Sequence, residues 1–134
     1  MVGTFYVIPG DRFTESGSHV TLQDIVYIDG LGMEIGNHTL THADARYTSK
    51  KRLKEEYETS NTVLENTLDK KIEHFCFPIG GTTSIARELL KDMNYKTSVL
   101  TIYGKANVNQ NNLSLKRIRI FYSDNIEKYK QRIN

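Results

Sequence analysis

A single cysteine, Cys76, has no partner for a disulfide within the 134 residues, so a packed core rather than cross-links must hold the fold. No apolar run approaches the roughly 20 residues that cross a bilayer. The formal net charge is only +2, and no basic run is interleaved with stacking aromatics, which argues against nucleic acid as a partner. Tryptophan is absent, and proline occurs twice, at Pro9 and Pro78. The stretch from Met1 to Pro9 lacks the basic lead of an export signal and reads as a strand. What remains is a composition that is a quarter charged and 38% apolar, at a length that suits one compact domain with a real core.

Hydrophobic periodicity divides the chain into alternating elements. Thr4 to Ile8 is a buried-strand pattern closed by Pro9-Gly10, and Asp11 to His19 reads as a polar loop. Thr21 is placed to cap a helix over Leu22 to Asp29, with Leu22, Ile25, Val26 and Ile28 on its apolar side. A second strand is expected over Met33 to Gly36. Thr48 or Ser49 opens the longest helix, ending near Leu68, with Leu53, Tyr57, Leu64 and Leu68 as a core stripe and Lys54, Glu55, Glu56 and Glu58 mainly outside. Lys50-Lys51-Arg52 and Lys70-Lys71 flank this helix as solvated clusters. His74 to Phe77 is a third strand, broken at Pro78. Another helix starts at Thr83 or Ser84, with Ile85, Leu89, Leu90 and Met93 inward, and Asn94 stops it. Tyr95 to Thr101 is a fourth strand and Gly104 to Asn112 a loop. Leu115 to Phe121 alternates as a fifth strand, and Ser123 or Asp124 caps a last helix through Ile126, Tyr129 and Ile133. Such alternation predicts an α/β fold with a mainly parallel sheet or barrel and helices outside.

The most informative stretch is Met33 to His42, which holds His38 and His42 at i and i+4. If this segment coils, both imidazoles lie on one face and converge on one point, and imidazole is a common ligand of zinc and similar divalent metals. The intervening threonines are placed to orient the rings, Asn37 to tie the turn to its own backbone, and Gly36 to let the chain turn sharply. Histidines at this spacing also occur on ordinary surface helices where they bind nothing.

In order along the chain, these features resemble the polysaccharide deacetylases of carbohydrate esterase family 4. Gly3-Thr4-Phe5-Tyr6-Val7 is similar to the strand that follows that family's first motif. Glu34-Ile35-Gly36-Asn37-His38-Thr39-Leu40-Thr41-His42 matches its second, His-(Ser/Thr)-x-x-His, with the usual lead-in. Phe75-Cys76-Phe77-Pro78-Ile79-Gly80 looks like its third. The resemblance implies a distorted (β/α) barrel, here incomplete with about five strands, as a single domain over residues 1–134. It implies a metal-dependent hydrolase that removes acetyl groups from N-acetylated polysaccharides or oligosaccharides. His38 and His42 would be metal ligands, zinc foremost, and the Ile79 backbone N–H the oxyanion donor. An envelope-associated or secreted setting would follow from the likeness, although no export signal is read in this chain.

The departures are equally specific. The family's Thr-Phe-Asp-Asp motif, with its ligand and base aspartates, is not found, and neither is an aspartate-tryptophan motif nor a Leu-x-His near Asn134. The expectation is therefore an impaired enzyme with an incomplete metal cage, and open sheet edges that invite pairing with a second copy. A pseudoenzyme or sugar-binding remnant, and an α/β interaction domain with structural histidines, are the alternatives. Cys76, where many members have a base-orienting arginine, reads as a small buried residue. Asp44 reads as a loop cap before a substitute ligand, and His74 as a partner-satisfied histidine before an acid in the cleft. His19 reads as solvent-exposed. Arg117 and Arg119 suit a cleft carboxylate or a solvated strand face equally.

Overall fold

The computed structural model describes residues 2–10 and 19–133. The expected loop from Asp11 therefore lies outside the described residues up to Ser18, while His19 is exposed. Five strands, β1 (Thr4–Val7), β2 (Glu34–Asn37), β3 (His74–Cys76), β4 (Thr97–Tyr103) and β5 (Leu115–Arg117), form one sheet in sequence order. Every neighbouring pair is parallel, in register Val7 to Asn37, Asn37 to Phe75, Cys76 to Val99 and Val99 to Leu115. Parallel neighbours need crossovers; the helices α1 (Leu22–Gly30), α2 (Lys50–Leu68) and α3 (Ser84–Asp92) supply the first three, and the segment with the 3-10 turn Asn112–Ser114 supplies the fourth. With α4 (Ile126–Ile133) after β5, this is the parallel sheet with helices outside that the alternation predicts, in the incomplete (β/α) barrel form that the resemblance implies.

Local chemistry explains where the helices begin. Thr21 caps α1 by accepting from the Asp24 N–H, and Asp24 returns the bond to the Thr21 backbone, a reciprocal capping box. Ser49 caps α2 and Thr83 caps α3 one-sidedly, accepting from the Arg52 and Ala86 N–H groups. The cap of α4 is Asn125, whose side chain accepts from the Lys128 N–H at 2.9 Å, not Ser123 or Asp124. Asp124 is instead held by Arg132 at 2.8 Å.

The core lies between the sheet and α1 to α3. Leu53, Tyr57 and Leu64 of α2 pack on Phe75, Phe77 and Tyr95, all buried. Phe75 meets the rings of Tyr57, Phe77 and Tyr95 edge-on at 4.8, 5.1 and 5.6 Å between centroids, the favoured aromatic geometry.

Four expectations are corrected here. On α3, Ile85 is exposed and Ala86 takes the inward position. On α1 only Ile25 is fully buried, while Leu22 and Val26 face outward. β4 runs on to Tyr103 and β5 stops at Arg117 rather than Phe121, because the β4–β5 pairing shifts register between Val99 and Tyr103. Glu56, expected outside α2, is 0% exposed. It lies three residues after Leu53 and one before Tyr57, on the buried stripe itself.

Candidate metal centre

The functional residues collect where β2, β3 and β4 end, the edge at which parallel α/β folds place their chemistry. The backbone is unusual at this end. Among the described residues, Thr39, His42, Asp69, Ile79 and Asn94 are the non-glycine positions with positive φ. Asp69 and Asn94 follow helix ends, where a left-handed residue is ordinary. Thr39 (φ 68°), His42 (φ 63°) and Ile79 (φ 57°) fall in the loops after β2 and β3. Two of these are β-branched and disfavour the conformation, which persists only where the surroundings impose it.

Those surroundings are a buried polar network. Asn37 Oδ1 accepts from the Thr39 N–H at 2.8 Å, and Asn37 Nδ2 donates to Ser60 Oγ and Tyr95 Oη, each at 2.8 Å. The expected tie between Asn37 and the turn is thus present and is anchored to α2. Further along, the buried Glu56 accepts from the Thr41 N–H at 2.8 Å, from Thr41 Oγ1 at 2.7 Å and from Arg52 Nη2 at 2.7 Å. A buried carboxylate requires such donors. Glu56 thereby clamps the residue just before His42.

His38 and His42 come together, but not on a helix. The segment from His38 to His42 is a loop, and its two left-handed residues, not helical i and i+4 spacing, bring the ring centroids to 4.9 Å at an interplanar angle of 73°. His38 Nδ1 donates to the Cys76 carbonyl at 2.6 Å. A carbonyl only accepts, so the tautomer is set and Nε2 keeps its lone pair. The ring is thus oriented by β3, while Thr39 and Thr41 hold the loop: Thr39 Oγ1 accepts from the Ala43 N–H at 3.1 Å. Burial holds the His38 imidazolium below its usual range, with the charges of His42 and Arg117 acting in the same direction and the Cys76 carbonyl opposing. Gly36 is not a turn residue. It sits inside β2, where a Cβ would meet the Tyr6 ring at 2.6 Å, so it makes room for that side chain.

The other candidates separate cleanly. Cys76 is buried, and burial pushes its thiol up. Asp44 is engaged by Arg46, with Nη2 to Oδ2 at 2.6 Å, which holds its carboxyl below the usual range. His74 is at the opposite end of the sheet. Ile79 is 63% exposed at the mouth of the cleft, and its carbonyl accepts from Thr101 Oγ1 at 3.2 Å. Gly80 beside it has φ 72°, and a Cβ there would strike Thr101 Oγ1. Among the described residues no group of three or more His, Cys, Asp or Glu side chains is placed to hold a metal ion. The histidine pair suits a divalent ion as two ligands of a larger set, since one ring has its second nitrogen committed to a carbonyl in the manner of metal-bound histidines.

Comparison with known proteins bears on this site. The family model described as polysaccharide deacetylase matches residues 1–98. No curated protein matches the chain. Among solved structures, the Streptococcus pyogenes deacetylase PplD, in complex with acetate, is 29% identical with a TM-score of 0.91 over 99% of this chain and 59% of its own. The putative polysaccharide deacetylase BA0330 of Bacillus anthracis is similar in fold, at 23% identity and a TM-score of 0.88 over 99% of this chain and 42% of its own. BA3943 of the same organism, a CE4 family pseudoenzyme, superposes at a TM-score of 0.63 with 21% identity over 72% of this chain and 33% of its own. The chain therefore spans less than two thirds of each of these proteins.

Proposed function

The chain belongs to the polysaccharide deacetylase family, and on that premise we propose that it carries the histidine part of a metal-dependent site for hydrolysing acetamide groups of N-acetylated sugars. The observation that carries this reading is the His38 Nδ1–Cys76 carbonyl bond with the His42 ring 4.9 Å away. Two imidazoles are presented at a strand-end cleft, one with its free nitrogen selected by its neighbour. Zinc, or a similar divalent ion, would be held by His38 and His42. When bound it would polarise the acetamide carbonyl and acidify a water.

The chain's own residues do the positioning. Asn37 and Glu56 hold the loop in its left-handed shape so that the imidazoles stay paired. The Ile79 N–H, in a peptide turned by its positive φ and steadied through Thr101, is the donor assigned to the oxyanion of the attacked acetyl group. Catalytic zinc takes three protein ligands and a water. Among the described residues two imidazoles are placed to serve, so weak metal binding and no turnover are expected of this chain by itself. That shortfall is also what favours the second reading, a pseudoenzyme or sugar-binding remnant in which the pocket is kept and hydrolysis lost.

Zinc titration of the purified chain, followed by calorimetry, tests the site. One zinc per chain is expected, with loss of binding in His38→Ala and in His42→Ala. A metal-free protein unchanged by both substitutions would make the histidines structural. Acetate release from N-acetylglucosamine oligomers tests the chemistry: none is expected from this chain, and turnover that survives His42→Ala would contradict the metal assignment.

A further inference from the structure

Near the histidines lies positive charge that no carboxylate among the described residues answers. At the C-terminal ends of β4 and β5 a cavity of about 310 Å³ is lined by Thr101, Arg117, Ile118 and Arg119. Arg117 Nε donates to the Leu100 carbonyl at 2.7 Å and its side chain also bonds the Cys76 thiol, which pins the half-buried guanidinium with N–H donors still to spare. Arg119 is exposed, and its guanidinium carbon lies 5.1 Å from the Phe121 ring centre. Among the described residues neither arginine has a carboxylate within ion-pair distance, whereas Arg46, Arg52 and Arg132 each have one.

Two like charges on one wall repel until an anion sits between them, and a guanidinium pair is well matched to carboxylate or phosphate oxygens. The cavity neighbours the candidate metal centre through Thr101 and Arg117. Thr101 Oγ1 donates to the Ile79 carbonyl, and the Arg117 side chain bonds Cys76, whose carbonyl holds the His38 ring. Ile118 adds an apolar wall against which a sugar ring can lie.

Resting on the polysaccharide reading above, we propose that the cavity between Thr101 and Arg119 is an anion subsite. It takes a carboxylate or phosphate substituent of the sugar polymer, on a residue next to the one presented to His38 and His42. The substrate class is thereby narrowed from N-acetylated polysaccharides in general to acidic ones.

Calorimetry on the purified chain at low salt tests this with three probes. These are a tetrasaccharide alternating glucuronic acid with N-acetylglucosamine, the neutral N-acetylglucosamine tetramer, and inorganic phosphate. The acidic tetrasaccharide is expected to bind about tenfold more tightly than the neutral one, and the advantage should shrink as salt is added. Arg117→Gln should abolish the preference and Arg117→Lys should keep part of it. Arg119→Gln, at an exposed position, should reduce it. Equal affinity for the two tetrasaccharides, no binding of the acidic one, or a preference that survives both glutamine variants would overturn the proposal. Phosphate binding as tightly as the acidic tetrasaccharide would also overturn it, as the mark of a simple ion site. The zinc titration stands apart: a chain that binds no zinc yet keeps the acidic preference loses the metal reading and retains this one.

Discussion

His38 and His74 sit at opposite ends of one parallel sheet, and their surroundings give the same side chain two different jobs. At the N-terminal edge, Thr4 Oγ1 donates to Glu34 Oε2 at 2.7 Å, Glu34 Oε1 meets His74 Nε2 at 3.1 Å, and His74 Nδ1 meets Thr97 Oγ1 at 2.7 Å. That chain of bonds joins β1, β2, β3 and β4 side by side, and it occupies both nitrogens of the ring. At the C-terminal edge the His38 ring is held through one nitrogen by a backbone carbonyl. A histidine whose two nitrogens are both bonded is a structural tie. One that is steered through a single nitrogen is available to a ligand.

The contrast is sharpest for Glu56, whose removal should give the largest effect. Glu56→Ala takes the acceptor from Thr41 and Arg52 in a buried setting, so a loss of about 3 kcal/mol in urea denaturation is expected, together with weakened zinc binding. A variant as stable as the wild type would show that the histidine loop holds itself. His38→Ala should lower zinc affinity by about a hundredfold while changing stability by less than about 1 kcal/mol; a large stability loss with unaltered zinc binding would erase the distinction between the two ends. Gly80→Ala puts a Cβ against Thr101 in a left-handed residue and should cost about 2 kcal/mol, read as a lowered melting temperature. His74→Ala gives the mirror result and the smallest effect, about 1 kcal/mol of stability with zinc binding unchanged. Altered zinc affinity in that variant would mean that the two edges communicate.

The helix start at Thr21 was legible, and those at Ser49 and Thr83 to within a residue, because capping is a contact between residues two or three apart. The stripe of Leu53, Tyr57 and Leu64 was legible because one helix face repeats. The same stripe passes through Glu56 and Ser60, and that position was the available signal for their burial. The neighbouring charges Lys54, Glu55 and Glu58 masked it. The pairing of His38 with His42 was readable from the motif, but its cause was not. Helical spacing suggested one face, whereas the approach comes from left-handed Thr39 and His42, imposed by Asn37 and by a carboxylate on another element. Ile79 could be named from the third motif, yet the group that holds its carbonyl is Thr101, a residue 22 positions away.

By itself the sequence determined the alternation of strands and helices, the starts of the first three helices to within a residue, the Leu53, Tyr57 and Leu64 stripe and the histidine motif, since each rests on near neighbours or on a repeating face. Only the tertiary structure decided which histidine is tied off and which is open, and which arginines lack an acidic partner among the described residues. The physical reason is that a ring nitrogen or a guanidinium is satisfied by whatever the adjacent strand or helix brings within about 3 Å, and that neighbour is chosen by the packing of the whole sheet.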